Sequence, residues 1–582
     1  MKGKKLWAWL LAALMLLGMT ACGGQKEPNS SAAGGDFSDI SEPSSTPDTE
    51  SSTPESPDPS STGSMPATTT TKKPATVPTT KRPAQGTPVA GTKVFKVEDY
   101  GAKGDGKTDD GPAIAKAVEA ACRDGSSQKI IELKANTTYR VMSNGHSADS
   151  YLLLIEETNN ITVRGNNTRL LMKAPMRVCR VADSQNITLN GLVIDYSPKP
   201  YAIGKVVSVA SDYSYVDISS DTDLGFTGTV TPSKRDYFMF RNKTDERMHF
   251  FLSKMSKNSN GSYRFYINTA LTSTALVKSQ APVGMEMIVP VYGSAHIESG
   301  ILLVQDTDTF TMQNVKIHAA PDFVYGMRRC TGKVTFKNVR LEPAAGCPPL
   351  VSWRDGFHIK DNTAKIVWDN CYMGPLGDDA INLSCVIGCI DSVNTANGLI
   401  NMTPAEDTSD RAGLINPGDE IVIYDMKGGA NDAVYCKIVS VLNTAGNSIS
   451  IRVDADLSKI PNINTRYVGF YAYNKDYEIN NCTIEGTVRL RSSGTINNTK
   501  FNVFWVRIEN ESAVEGPIPK NISFNHCVFT TPYSNPKTPV LVLNTQKSNG
   551  QSAAFRVRNI VLNDCTFNNC IYVKGNHELT VK

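Results

Sequence analysis

From residue 93 onward, apolar and polar residues alternate over short runs that end in Asn or Gly turns. A nine-residue unit, x-φ-x-φ-x-N-x-x-φ with φ apolar, recurs as NITLNGLVI (186–194), TFTMQNVKI (309–317), KVTFKNVRL (333–341) and KIVWDNCYM (365–373). It returns as DYEINNCTI (476–484), GTINNTKF (494–501), NISFNHCVF (521–529) and NIVLNDCTF (559–567). The first four residues alternate as a strand does, and Asn, Gly, Asp or His at the sixth suits a left-handed turn residue. Starts at 309 and 333 give a coil of 24 residues. Stacked units bury a continuous core that none could form alone, so the pattern predicts an all-β solenoid. Helical spacing is scarce: Ile114, Ala117, Val118 and Ala121 predict one helix over Pro112–Cys122, with proline in its first turn.

The same register places Cys371, Cys482, Cys527 and Cys565 at one repeat position, filled elsewhere by Leu192, Val315, Val339 and Thr499. A small apolar inward column is the simplest account, and all cysteines after Cys22 are expected to be free. No metal-ligand spacing such as C-x-x-C occurs. The repeat lapses over 200–295 and 385–470, which hold short alternating strands and predict two small antiparallel barrel-like insertions. The expected solenoid segments are therefore 93–199, 296–384 and 471–582. The preamble Asp99–Asp110 is glycine-rich but lacks a phosphate-loop spacing. With the helix after it, it resembles the capping segment that opens right-handed parallel β-helix proteins.

Composition adds the setting. Lys2, Lys4 and Lys5 precede an apolar run from Leu6 to Leu17 that closes on Met19-Thr20-Ala21-Cys22. This resembles a bacterial lipoprotein signal over 1–22, with Cys22 as the lipidated residue; an ordinary secretory signal is the alternative. Either implies export, and the first implies a cell-surface protein that meets the membrane only through its lipid. Residues 23–92 hold 12 Ser, 13 Thr and 11 Pro with Phe37 as their single aromatic, a composition that cannot bury enough apolar surface to fold. They are expected to be a tether. Sixty basic against 57 acidic residues, a net charge of +3, give no basic surface for nucleic acid.

Two segments carry the candidate chemistry: Trp353-Arg354-Asp355-Gly356-Phe357-His358-Ile359 and Gly377-Asp378-Asp379-Ala380-Ile381-Asn382-Leu383. Asp355 and Asp378 stand 23 residues apart, close to one coil, which puts them about 5 Å apart at the backbone in one column. Clustered acids repel by about 4 kcal/mol at 4 Å and an effective dielectric of 20. One of them is then expected to keep a proton near neutral pH, as a general acid must. Read singly, Asp-Gly and Gly-Asp-Asp are ordinary turn sequences. Strict alternation also sets Asp378 and Asp379 on opposite faces and turns Asp355 inward, unless a bulge near Gly356 and Gly377 breaks it.

These motifs resemble those of β-helical glycoside hydrolases: polygalacturonases at a distance, and more closely glycoside hydrolase family 110, inverting α-1,3-galactosidases whose right-handed β-helix is interrupted by small barrels. The resemblance covers 93–582. It implies Asp378 as general acid, Asp355 and Asp379 as candidate bases, no cofactor and no metal, and a glycan with terminal α-galactose as substrate. Inversion leads us to expect the Asp378 carboxyl about 6.5–9.5 Å from at least one of the others. No Gly-His-Gly or Arg-Ile-Lys of the polygalacturonase type occurs; the nearest basic segment is Val488-Arg489-Leu490-Arg491, and the difference argues for a neutral sugar. His358, Asn382, Arg489, Glu515 and Trp353 are the candidate substrate contacts, with a structural role as the alternative for His358 and Asn382. Trp353 and Trp505 suit either sugar stacking or the core. A pectin hydrolase and a non-catalytic glycan-binding solenoid remain the competing readings.

Overall fold

The computed structural model describes residues 89–145, 151–231, 238–241, 249–293, 300–406, 409–425, 433–509, 515–531, 539–544, 556–569, 571–574 and 576–582. The leader, with Cys22, and the tether as far as residue 88 lie outside them. The body is a parallel β-helix built on three ladders. One runs through the repeat units themselves, pairing Gln185–Asn190 with Asp308–Gln313, then Thr331–Lys337, Lys365–Asp369, Tyr477–Asn480, Gly494–Asn497 and Lys520–Asn525. The second stacks Leu302–Gln305, Tyr325–Arg328, Phe357–Lys360 and Asp379–Val386, and continues into Thr483–Arg489 and Lys500–Glu509. The third is short, and includes Lys316–Ile317, Arg340–Leu341 and Tyr372–Met373.

The sixth position of the repeat behaves as its chemistry demands. Gly191, Asn314, Asn338, Asn370, Asn481, Asn498, His526 and Asp564 all have φ between 48° and 72°. The asparagine amides also stack, Asn338 donating to Asn314 at 3.0 Å and Asn370 to Asn338 at 2.8 Å. Inside, fully buried aromatics run from coil to coil: Tyr325 stacks on Phe357 and Phe336 on Trp368, with ring centroids 5.2 and 5.5 Å apart. Cys371, Cys482, Cys527 and Cys565 are free thiols in their expected column. The helix Gly111–Arg123 buries Ile114, Ala117, Val118 and Ala121 against the first coils. Among the described residues no helix is long and apolar enough to cross a membrane.

Both insertions are antiparallel and carry cores of their own, around Val216, Phe250 and Phe265 in the first and Ile400, Ile421 and Ile451 in the second. In the first, six strands pair in a ring: Tyr201–Val209, Tyr215–Ser219, Tyr263–Ile267, His249–Lys257, Phe238–Arg241 and Glu286–Pro290, which returns to Tyr201–Val209. The second is a closed barrel of Gly388–Asn394, Leu399–Pro404, Ile449–Val453, Val434–Asn443, Glu420–Tyr424 and Tyr467–Phe470. In each, the first and last strands are neighbours: Tyr201 pairs with Pro290, and Gly388 with Val468. The second barrel leaves the coil immediately after Asp379–Val386, the strand that carries the Gly-Asp-Asp segment.

Candidate active site

The second ladder points Phe357, Ile359, Ile381, Leu383 and Val488 into the core. Its alternate positions therefore form an outward column, with His358, Asn382, Arg489 and Arg507 on successive coils. The Asp-Gly and Gly-Asp-Asp segments lie at the start of this column. Ser352 bridges to Leu376 and Phe357 pairs with Ile381, both offsets of 24 residues, so the register partner of Asp355 is Asp379 rather than Asp378. The Gly356 N–H donates to the Asp379 carbonyl at 2.8 Å. A Cβ on Gly356 would lie 2.8 Å from the Ala380 carbonyl oxygen, so only glycine permits this approach.

The bulge that alternation required is present. Asp379 pairs with Thr487 but Ile381 with Val488, so one residue, Ala380, is extra on the upper strand. Asp379 is thereby brought to the same side as Asp355 and Asp378, and one oxygen from each carboxylate lies within 4.8 Å of the others. This corrects the 6.5–9.5 Å expectation: stacking Asp355 directly on Asp379 and turning Asp379 out at the bulge draws all three together. Asp378 is the member that meets solvent, its side chain 22% exposed, while Asp355 and Asp379 are buried.

Each acid has a different partner. The Arg354 Nε stands 3.7 Å from Asp378 Oδ2, and the Arg489 Nε stands 2.8 Å from Asp379 Oδ2. Asp355 Oδ2 instead meets the His358 Nδ1 at 2.7 Å. Burial and then the charge of Asp378 push the Asp355 carboxyl well above the carboxylate range, against Arg354. Burial also raises Asp379 despite Arg489, with Asp378 and Asp355 adding to it. Three carboxylates facing two guanidiniums are neutral with one proton aboard, and that proton belongs to the coupled cluster rather than to one residue. Arg354 and Arg489 supply the counter-charge that a cation would bring, and we assign no ion to the cluster.

Beyond it, the outward face is charged but shielded from water. Glu515–Gly516 pairs antiparallel with Cys385–Val386 and lays Glu515 over the column. Glu515 accepts from the Asn382 amide at 3.1 Å and pairs with Arg491 at 3.3 Å and Lys360 at 3.7 Å. Burial alone would raise Glu515, yet Arg491, Lys360 and Arg489 hold it well below the usual range. Lys360 also binds Glu406 of the second barrel at 2.6 Å, and Arg411 of that barrel reaches Asp361 at 3.2 Å. A small pocket opens among Arg489, Arg491, Arg507 and Glu509 beside the aspartates.

The structure thus gathers Asp355, Asp378, Asp379, His358, Asn382, Arg489 and Glu515 on one face. Two expectations change. Trp353 presents no face to a ligand: it is fully buried and stacks on Tyr201 of the first barrel, centroids 6.2 Å apart. His358 and Asn382, at 3% and 4% exposure, contact Asp355 and Glu515 rather than solvent, so they shape the site from behind. Trp505 stays half-buried, two coils beyond Asp379 in its column. Arg354 was missed although it adjoins Asp355, because a lone arginine in a strand edge reads as a solvated residue. Lys360 and Glu406 were missed because no local pattern links a coil to a barrel 46 residues on.

No protein-family profile matches the chain. Among solved structures, a mannuronan C-5 epimerase A-module of Azotobacter vinelandii is 10% identical, covering 84% of this chain and 97% of that one with a TM-score of 0.35. A family 28 exopolygalacturonase of Yersinia enterocolitica is 12% identical, covering 84% and 70%, with a TM-score of 0.35. In sequence, the chain is 22% identical over 322 residues to alpha-1,3-galactosidase B of Bacteroides thetaiotaomicron, 51% of each protein, so it spans about half the length of that curated relative.

Proposed function

We propose that the protein is a glycoside hydrolase that removes terminal α-1,3-linked galactose from glycans. The observation that carries this reading is the cluster of Asp355, Asp378 and Asp379, oxygens within 4.8 Å and only Asp378 open to solvent. A cluster that keeps one proton can both donate to a leaving oxygen and accept from water. Asp378, at the mouth, gives its proton to the glycosidic oxygen as the bond to the anomeric carbon breaks. Asp355 and Asp379, each fixed by a neighbour, hold one water between them and take its proton as its oxygen attacks. Two fixed acceptors serve inversion, whereas a covalent route needs only one. The similarity to an α-1,3-galactosidase supports the linkage.

Charge pairing favours a neutral sugar over a uronate. Arg489, Arg491 and Arg507 face Asp379, Glu515 and Glu509 respectively, so the arginines beside the cluster already have carboxylates. We read the leader as placing this activity at the cell surface through lipid on Cys22, with no partner other than glycan and no cofactor. The test incubates purified protein with galactose-α-1,3-galactose, galactose-α-1,4-galactose and polygalacturonate. Galactose from the first alone is expected. Cleavage of polygalacturonate alone would replace the reading with a pectin hydrolase, and binding without turnover would replace it with a glycan-binding solenoid. Proton NMR of the first-formed sugar is expected to give β-galactose; α-galactose first would overturn the water-activating roles.

A further inference from the structure

Three aspartates at one site raise a question that the roles above leave open: what keeps the single proton where it is useful. Asp379 has a guanidinium at 2.8 Å and Asp378 one at 3.7 Å, whereas the close partner of Asp355 is an imidazole. Most buried of the three environments, Asp355 is where a proton would otherwise settle. A proton resting there disables the residue that must accept from water.

We propose that His358 is a positioning residue: its Nδ1–H, 2.7 Å from Asp355 Oδ2, donates to that carboxylate, keeps the oxygen an acceptor, and leaves the proton of the cluster to Asp378. The geometry allows the ring little else. It is 3% exposed, packs against Phe323 with centroids 5.0 Å apart, and sits on a strand whose neighbours in register are Gly326 and Asn382. Phe323 is in turn covered by the guanidinium of Arg354, 5.2 Å from its centroid, so the same packing fixes His358 and the arginine beside Asp378.

The ring does this while uncharged. Burial and then Lys360 hold it down to about 3. The charged groups facing it are Lys360 and Asp355 on its own coil, Arg328 on the coil before, Glu515 across the column and Glu406 from the second barrel. The two cations outweigh the carboxylates in effect because burial already disfavours the imidazolium. A neutral N–H donor orients a carboxylate without adding the charge that would lower its basicity, whereas a lysine or arginine there would weaken the base. The proton count closes: Asp378 loses one proton to the leaving group, the attacking water loses one to the Asp355–Asp379 pair, and that proton returns to Asp378 before the next turnover.

The proposal rests on the glycosidase reading, and its test separates the two. His358→Leu removes the donor; His358→Asn keeps an amide N–H near the former Nδ1. For Leu we expect kcat to fall about 10²-fold with KM little changed, and the acidic limb of the pH profile to move up by about one unit as Asp355 captures the proton. For Asn we expect recovery to within about tenfold of the parent, with the limb restored. Circular dichroism and melting temperature check that both variants fold. Equal losses in two folded variants, or an unmoved limb in Leu, would overturn the proposal. If the parent protein releases no sugar, the glycosidase reading fails instead. Nitrogen-15 NMR of histidine-labelled full-length protein still decides the tautomer: a protonated Nδ1 on His358 is expected, and protonation at Nε2 alone would refute the donation.

Discussion

Two corners of the same coil carry opposite solutions to one problem. At the repeat turn, Asn314, Asn338 and Asn370 sit in the left-handed region and pass amide hydrogen bonds from coil to coil. At the aspartate corner, the ladder bulges between Asp379 and Ile381 and stacks Asp355 on Asp379. The first corner repeats an uncharged, satisfied unit; the second concentrates like charges that the fold must counter with Arg354, Arg489 and His358. Regularity here marks stability, and its local failure marks chemistry.

The sharpest way to break this comparison is to remove the exposed acid. Asp378→Asn is expected to lower kcat on glycans by about 10²–10⁴-fold, and by much less on an aryl galactoside whose leaving group needs little protonation. Steady-state kinetics on both substrates checks it, with melting temperature unchanged. Next comes the core that both corners share. Trp368→Ala, which empties an aromatic stack between coils, is expected to cost about 3–5 kcal/mol in denaturant unfolding. At the regular corner, Asn338→Ala forces an ordinary residue into the left-handed region and is expected to cost about 1–2 kcal/mol, with Asn338→Gly costing less. Equal costs would mean that the amide ladder, rather than the backbone, holds that turn.

The aspartate corner predicts the reverse sign. Because the folded protein raises the Asp355 carboxyl above its unfolded value, whatever stability that group contributes is present in acid and lost as pH rises through the folded value. Asp355→Asn is therefore expected to stabilise the protein by about 0.5–2 kcal/mol at pH 8 while abolishing turnover, and to give no gain at pH 4. Calorimetry at the two pH values reads this directly. A variant less stable than the parent at pH 8 would show that the hydrogen bond with His358 outweighs the charge it tolerates.

The two corners also differ in how much of them could be read beforehand. Asn338 and its equivalents were legible because a nine-residue period repeats the same local solution, and a left-handed turn selects Asn, Asp or Gly by its own sterics. The cysteine column was legible for the same reason. At the aspartate corner only the residue types and the coil spacing were visible. Which aspartate stacks on Asp355 depends on one extra residue at Ala380, a register event with no local signature. Trp353 read as a sugar platform because it adjoins the motif, but its fate is set by Tyr201 more than 150 residues earlier in the chain. Lys360 alternates outward like a solvated lysine and is buried only because the second barrel brings Glu406 onto it.

The pairing of each barrel's first strand with its last bears on how the chain reaches this state. Between Val386 and Tyr477 the polypeptide abandons the solenoid, and Tyr372–Met373 and Lys365–Asp369 must find partners that arrive only after that excursion. For an unstructured loop of that length, bringing the ends together costs entropy that grows with the logarithm of its length. A barrel that folds by itself around Ile400, Ile421 and Ile451 joins Gly388 to Val468, so the detour collapses to a step of a few residues before the next coil is laid down. The first barrel does the same for Tyr201 and Pro290. Each insertion thus acts as a self-closing clasp, converting the most remote contacts of the solenoid into near-local ones and making the order of assembly barrels first, coils second.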